Sequence, residues 1–161
     1  MRGGASFWLW LSAVVIGVDQ FTKYLVDSSF EYGRPLTLHP MLDFTLLYNT
    51  GAAFSFLSTA GGWQRWFFIA LGVAVSALIL VWLARLPARG HSMLAAGLAL
   101  ILGGALGNVI DRALYGHVID FISVHYETWY FPAFNVADSA ITVGAALLII
   151  DSVFGKDPSA E

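Results

Sequence analysis

The sequence predicts an all-α membrane protein built as a bundle of four transmembrane helices. Hydrophobic residues make up 58% of the 161 residues and charged residues only 12%, a balance too apolar for an ordinary water-soluble domain. Four apolar runs come near the roughly 20 residues that a helix needs to cross the hydrocarbon core. They fall at about residues 7–26, 63–86, 92–110 and 134–154. Since nothing outside them is long enough for a separate domain, we expect residues 1–161 to form a single integral-membrane domain.

The first apolar run follows Arg2 and invites comparison with a cleaved signal peptide. It lacks a small-x-small cleavage site and continues through residues 24–26, so we expect it to stay in the protein as an anchor. The sequence has no cysteine, which excludes disulfides and a cysteine nucleophile. It also has no basic cluster, so no nucleic-acid partner is expected.

Basic residues outside or at the ends of the spans predict the orientation. An even number of spans places both termini on one side, and the positive-inside rule favours the cytoplasm for that side. The two longer loops, about residues 27–62 and 115–132, then lie outside the cytoplasm. In the first loop, a β-prone stretch at residues 42–48 and a Gly-Ala-Ala-Phe turn predict a small extracytoplasmic sheet and a short interfacial helix. The basic residues are Arg2, Arg85, Arg89 and Lys156 on the cytoplasmic side, against Arg34 and Arg65 on the other.

Polar side chains lie in or beside the spans, near the ends assigned to the outer leaflet. A charged side chain at the bilayer centre costs about 2.5 kcal/mol or more, so each one needs a reason to be there. Because they share one depth, we expect them to converge on one site. They are Asp19, Lys23, Asn108, Asp111, Arg112, Asp120, Asn135 and Asp138.

Two groups of these residues favour structural roles. Asp19 and Lys23 are four residues apart on one helical face, which favours an ion pair within that helix or shared with another. Substrate contact is the alternative. Asp111 is next to Arg112 and would be stabilised as an anion, which suits a structural pair better than an acid–base catalyst. Asn108 lies on the same face and could instead orient the backbone at the site.

Asp120 and Asp138 form the candidate catalytic pair. Neither has a basic residue at helical spacing, because the segment with His117 and Asp120 is not expected to be regular helix. Two facing carboxylates cannot both ionise cheaply, so one would activate water while the other keeps its proton and donates it. The alternative for Asp138 is compensation of a helix dipole, with Asn135 as the N-cap. Spacing alone leaves both roles open.

Motifs of other functional classes are missing. There is no His-Glu-x-x-His zinc motif and no Gly-x-Ser-x-Gly elbow, so neither a metal nor any other cofactor is expected. His39, His91 and His125 are too scattered for a metal site. A proton-coupled carrier would use intramembrane acids too, but four spans without an inverted repeat argue against it. A noncatalytic assembly subunit, held together by its polar pairs, is the other alternative.

Four sequence blocks and one shorter pattern carry a family resemblance. The blocks are residues 49–55 (Asn-Thr-Gly-Ala-Ala-Phe-Ser), 103–112 (Gly-Gly-Ala-Leu-Gly-Asn-Val-Ile-Asp-Arg), 117–121 (His-Val-Ile-Asp-Phe) and 134–139 (Phe-Asn-Val-Ala-Asp-Ser). An Asp-Gln-x-x-Lys pattern at residues 19–23 precedes them. Together they resemble the signatures of the bacterial lipoprotein signal peptidase family, signal peptidase II, in the right order along nearly the whole chain.

The resemblance implies an aspartic endopeptidase of the bacterial inner membrane, with its site near the periplasmic face. It also implies that the small extracytoplasmic sheet is the family's β-cradle and that the interfacial helix is its periplasmic helix. Its substrate would be a prolipoprotein, cut immediately before the diacylglyceryl-modified cysteine. The family's catalytic aspartates fall on Asp120 and Asp138. Membrane lipid is a further expected partner, cyclic peptide antibiotics are expected inhibitors of the site, and a monomer is expected. Positions that line or support the family's site fall on Asn49, Gly51, Asn108, Arg112, Asn135 and Ala137.

Overall fold

Four long helices dominate the computed structural model, which describes residues 3–51, 61–87 and 90–154. Each helix contains a stretch long and apolar enough to cross a membrane, which confirms the prediction of four such helices. Helix α3 continues past residue 110 and therefore carries the polar residues near its end within regular helix. The helices are α1 (Gly3–Ser29), α2 (Trp63–Arg85), α3 (Ser92–Leu114) and α4 (Val136–Phe154).

A four-stranded antiparallel sheet, with strand order β1-β2-β3-β4, joins the bundle. Its strands are β1 (Leu36–His39), β2 (Leu42–Asn49), β3 (Val118–Tyr126) and β4 (Trp129–Tyr130). The first two fall in the loop where the sequence predicts a small sheet. The other two come from the second long loop, so the sheet draws on both loops. The predicted interfacial helix falls largely on residues 52–60, outside the described part of the chain.

Helix α3 is the centre of the bundle, and its small residues let neighbouring backbones approach. A Cβ atom at Gly97 would lie 2.9 Å from the carbonyl oxygen of Gly144 on α4, and one at Gly144 would lie 2.6 Å from the carbonyl oxygen of Gly97. Gly104 faces the carbonyl oxygen of Ala137 even more closely. Such contacts between small residues are typical of helices packed within a membrane. They bring the first turn of α4 against α3.

Large apolar side chains remain on the outside of the bundle. Trp10 on α1, Leu78 on α2 and Val153 on α4 are 72%, 71% and 65% exposed. Helices that are apolar on their outer faces are expected where lipid replaces water as the surrounding medium. The exposed surface therefore agrees with a multi-pass membrane protein.

A second apolar cluster fixes the sheet against the end of α1. It combines Val26 of α1 with Leu46 of β2 and with Ile119 and Phe121 of β3, all of them buried. Successive side chains of a strand point to opposite faces. Burial of Ile119 and Phe121 therefore turns Asp120 to the other face of the sheet.

Strand β3 is also tied to the segment that leads into α4. The backbone N–H groups of Phe121 and Ile122 donate to the carbonyl oxygen of Phe134, at 3.1 and 2.9 Å. The N–H of Phe134 donates back to the carbonyl oxygen of Ile122 at 3.0 Å. This pairing brings Asn135, the next residue, beside Asp120.

Candidate active site

Asp120 and Asp138 line one cavity of about 620 Å³, although they lie on different elements. Asp120 is the third residue of β3, and Asp138 is the third residue of α4. The structure therefore brings together the two carboxylates that the sequence singles out. Among the described residues, the same cavity is lined by three more of the predicted site residues, Asn49, Asn108 and Arg112.

Two asparagine side chains hold the Asp120 carboxylate. Nδ2 of Asn135 donates to its Oδ1 at 2.7 Å, and Nδ2 of Asn49 donates to its Oδ2 at 3.0 Å. Asn49 can reach because its partner in the β2–β3 register is Val118, which puts Asn49 on the same face of the sheet as Asp120. Burial, and next the negative charge of Asp138, raise the pKa of the Asp120 carboxyl to about 7.

The Asp138 carboxylate is held by Asn108 and by the start of its own helix. Nδ2 of Asn108 donates to Oδ1 of Asp138 at 2.8 Å, and the backbone N–H of Asn135 donates to Oδ2 at 3.3 Å. In return, Oδ1 of Asn135 accepts the backbone N–H of Asp138 at 2.9 Å. This reciprocal arrangement is a capping box, and it confirms Asn135 as the N-cap.

Asn135 therefore contacts both carboxylates at once and has no exposed surface. Its Nδ2 faces Asp120, while its Oδ1 and backbone N–H face Asp138. A single residue thus sets the position of the strand carboxylate relative to the helix carboxylate, through its side-chain amide at Asp120 and its backbone N–H at Asp138. The arrangement suits two acids that share one proton and one water.

A buried ion cluster lies behind the pair. Nζ of Lys23 is 2.8 Å from Oδ2 of Asp19 and 2.8 Å from Oδ2 of Asp111. The predicted Asp19–Lys23 ion pair is present and is shared with α3. The ion-pair partner of Asp111, within the residues that the structure describes, is Lys23 and not its neighbour Arg112. Adjacent residues of a helix point in different directions, so Asp111 faces α1 while Arg112 faces the cavity.

Both acids of this cluster also hold backbone next to the candidate catalytic residues. Oδ1 of Asp19 accepts the N–H of Ala137, the residue before Asp138, at 2.8 Å. Oδ2 of Asp111 accepts the N–H of Ile119, the residue before Asp120, at 3.1 Å. These contacts support structural roles for both acids. Ala137 serves the site through its backbone and its tight packing on α3.

Gly51 and Arg112 form a further link at the cavity. Nη2 of Arg112 donates to the carbonyl oxygen of Gly51 at 2.8 Å, and its guanidinium carbon lies 4.9 Å from the ring centre of Phe68 on α2. The N–H of Gly51 donates to Oδ1 of Asn49 at 3.0 Å, which turns Nδ2 of Asn49 toward Asp120. Gly51 therefore orients one of the two amides that hold Asp120.

Sequence reasoning missed the role of Gln20. Its Nε2 lies 2.8 Å from Oδ1 of Asp111, 3.2 Å from Oδ2 of Asp19 and 3.2 Å from the carbonyl oxygen of Gly107. The signal was present, because an amide next to an acid within an apolar span needs buried partners. The partners on α3 could not be identified from spacing along α1.

The family match covers most of the chain and agrees with this geometry. The sequence matches the family described as Signal peptidase (SPase) II over residues 11–154. The chain belongs to the signal peptidase II family. Membership of this family makes the protein a peptidase.

Relatives in the signal peptidase II family are similar over nearly their full length. The lipoprotein signal peptidase of Pseudomonas fluorescens (strain Pf0-1) is 54% identical over 157 residues, covering 96% of this chain and 92% of the relative. That of Burkholderia mallei (strain SAVP1) is 56% identical over 152 residues, covering 94% and 90%. A solved bacterial membrane enzyme superposes with a TM-score of 0.80 at 30% identity, covering 94% of this chain and 93% of that enzyme.

In this signal peptidase II family member, Asp111→Asn is expected to lower stability more than it alters the chemical step. The change removes one ion pair from Lys23, which keeps Asp19, so we expect a loss of about 1.5–3 kcal/mol in the free energy of unfolding. Thermal unfolding in detergent measures it. The matched control is Glu31→Gln in the exposed pair with Arg34, where little change is expected. A stable but inactive Asp111→Asn protein would show that Asp111 takes part in the chemistry.

Proposed function

We propose that this protein is an aspartic endopeptidase that removes the signal peptide from diacylglyceryl-modified prolipoproteins, with Asp120 and Asp138 as the catalytic pair. The observation that carries the proposal is that Asn135 donates to both carboxylates at one cavity, to Asp120 from its side-chain amide and to Asp138 from its backbone N–H. Family membership and relatives named lipoprotein signal peptidase support the reaction class.

The mechanism we propose uses a water molecule between the two carboxyl groups. The ionised carboxylate takes a proton from the water, and the water oxygen bonds to the scissile carbonyl carbon. The protonated carboxyl group donates its proton to the developing oxyanion. When the C–N bond breaks, the leaving amine receives a proton from the acid formed in the first step. Three asparagine amides hold the carboxylates in place throughout.

The walls of the cavity support an amphiphilic substrate. The carboxylates, Asn49 and Asn108 form its polar part, while Phe68 of α2 and Ile141 and Val143 of α4 contribute apolar surface. A peptide that carries acyl chains needs both kinds of surface, because the peptide bond must meet water while the chains stay in an apolar environment. We propose that the scissile bond lies immediately before the lipidated cysteine.

We further propose that the protein lies in the bacterial inner membrane with both termini in the cytoplasm and the sheet and cavity at the periplasmic face. The distribution of basic residues in the sequence supports this orientation. Exposed aromatic side chains at the start of α2 and beside the sheet are typical of a membrane interface. They are Trp63, Trp66, Trp129 and Tyr130. We propose a monomer whose cavity can also bind cyclic peptide antibiotics.

The test of the proposed function compares two substrates. Purified protein in detergent is incubated with a diacylglycerylated precursor and with the same precursor without lipid, and the products are separated on a gel. Only the lipidated precursor should be cut, and mass spectrometry should place the new N-terminus at the modified cysteine. Equal cleavage of both precursors would contradict the substrate class, and cleavage of neither would contradict the function.

The rate of cleavage should depend on pH with two limbs. Asp120 has a pKa of about 7, so above this pH the pair loses its single proton and the rate should fall as the pH rises. At low pH the pair gains a second proton and no base remains, so the rate should fall there too. Initial rates measured in steps between about pH 5 and about pH 9 test this. A flat profile over that range would contradict a shared proton.

A further inference from the structure

The amides that donate to the two carboxyl groups of the proposed catalytic pair differ in their own hydrogen-bond partners. From the described residues, Asp120 and Asp138 each accept two N–H groups, so the donors in direct contact do not tell which carboxyl group carries the proton. The difference appears one contact further away, where Asp138 is connected to the ammonium group of Lys23 through Asn108.

The contacts of Lys23 fix the orientation of the Asn108 amide. An ammonium group has three N–H donors and accepts nothing. Two of the donors are directed at Asp19 and Asp111, and the third at Oδ1 of Asn108, 3.0 Å away. Because Lys23 can only donate, Asn108 must present its oxygen to Lys23 and its NH₂ group to Asp138. The short Asn108 Nδ2 to Asp138 Oδ1 contact of 2.8 Å is the result.

This connection favours negative charge on Asp138. An amide whose oxygen accepts a bond from a cation becomes a stronger donor, and hydrogen bonds in such a chain reinforce one another at low dielectric. Asp138 also lies in the first turn of α4, where the helix dipole favours an anion.

The two amides that donate to Asp120 are not strengthened as donors in this way, because their own partners are neutral. The Asn49 amide is oriented by the neutral backbone N–H of Gly51. Nδ2 of Asn135 also lies 3.2 Å from the carbonyl oxygen of Ile119, so its donor capacity is divided. Within the described residues, neither amide that donates to Asp120 accepts a hydrogen bond from a cation. Asp120 is 3% exposed, and such burial favours the neutral acid.

We propose that Lys23 is a positioning residue that acts through Asn108 to keep Asp138 ionised as the base, so that the shared proton resides on Asp120 as the acid. This inference rests on the proposed function. Asp138 then takes the proton from water, the water oxygen bonds to the carbonyl carbon, and Asp120 protonates the oxyanion. On collapse the C–N bond breaks, Asp138 returns its proton to the leaving nitrogen, and Asp120 regains one from the diol. Among the described residues, the charged groups that act on Asp138 include Lys23 and Asp19 of α1, Arg112 of α3 and Asp120 of β3, while Asp111 of α3 pairs with the Lys23 ammonium.

The test follows the acidic limb of the pH profile of kcat in three variants. Asn108→Ala breaks the connection but keeps both ion pairs of Lys23. Lys23→Met combined with Asp111→Asn removes the ammonium together with one carboxylate, so the cluster keeps the same net charge. Gln20→Met is the matched control, because Gln20 bonds the same two acids. All three are measured alongside the unaltered protein with the diacylglycerylated precursor.

The first two variants should move the acidic limb upward by about one pH unit, with kcat at low pH reduced about tenfold and KM changed much less. Gln20→Met should lower thermal stability but leave the acidic limb of the kcat profile at the same pH as in the unaltered protein. An unmoved limb in Asn108→Ala overturns the proposal, as does an equal shift in Gln20→Met. A shift in Asn108→Ala without one in the charge-balanced variant removes Lys23 from the mechanism. Absence of cleavage by the unaltered protein would instead contradict the proposed function.

Discussion

Asp138→Asn and Asp120→Asn should each reduce the cleavage rate of a diacylglycerylated precursor by about 10²–10⁴-fold, the range expected when a general acid or base is lost. The amide has nearly the shape of the carboxyl group, so the bundle should still fold. At residue 138 it cannot take a proton from water. At residue 120 it still presents an N–H donor, so Asp120→Asn should retain more activity than Asp138→Asn. Single-turnover rates measure both, and thermal unfolding in detergent checks the fold.

The control for this comparison is Asp151→Asn. Asp151 lies on the same helix as Asp138 but does not line the cavity in the described part of the structure. Its rate should stay within about twofold of the unaltered protein. Turnover close to normal in Asp138→Asn would contradict the two-carboxylate mechanism. The polar pairs would then be better explained as contacts that hold the helices together.

Gly104→Val should lower kcat by about 10²-fold although residue 104 carries no chemistry. Its Cβ atom would meet the carbonyl oxygen of Ala137 and would lie 2.8 Å from Cγ1 of Ile141, so the first turn of α4 must move. That turn carries Asp138, and a displacement of about 1 Å at a catalytic group can cost 10²-fold in rate. Overpacking should also cost about 3 kcal/mol in the free energy of unfolding. Cleavage rates and thermal unfolding are the measurements.

Gly17→Val is the matched control for this second variant. Gly17 lies within α1, and no heavy atom outside the helix's own backbone stands within 4 Å of a Cβ added there. Rate and stability should both be nearly unchanged, with less than about 0.5 kcal/mol lost. Equal losses in the two variants would mean that valine in an apolar helix, and not the position of α4, causes the effect.

The sequence was sufficient to predict the helices, and together with the family resemblance it singled out the candidate acids. Span length is a local property, so four apolar runs predict four membrane-capable helices without any knowledge of their packing. Asp120 and Asp138 stood out because neither has a basic residue at helical spacing, and the family resemblance then made them the candidate catalytic pair. The N-cap role of Asn135 followed from its spacing to Asp138.

The sequence pattern did not predict strand β3, because the strand is buried on both of its faces at its start. Its first four residues are all buried, including Asp120, so it shows no alternation of buried and exposed positions. The β-branched residues Val118, Ile119, Ile122 and Val124 were the available signal. The strand pairs with β2 across a long sequence separation, and pairing of that kind cannot be read from local pattern.

The partners of the buried acids were also beyond reach of the sequence. Asp111 was expected to pair with its neighbour, but the direction of each side chain on α3 decides its partner, and Asp111 faces Lys23. The contact from Asp19 to the N–H of Ala137 joins residues that are 118 positions apart. Only the packing of α1, α3 and α4 makes that contact.

That contact between the first and last helices bears on how the protein is made. The chain emerges from the ribosome N-terminus first, so Asp19 enters the membrane long before Ala137 has been synthesised. Until the final span arrives, a nascent chain has neither Asp138 nor the turn that presents it. Under the proposed mechanism, hydrolytic capacity would therefore appear only at the end of biogenesis, and stalled or truncated copies would be unable to attack other polypeptides in the same bilayer.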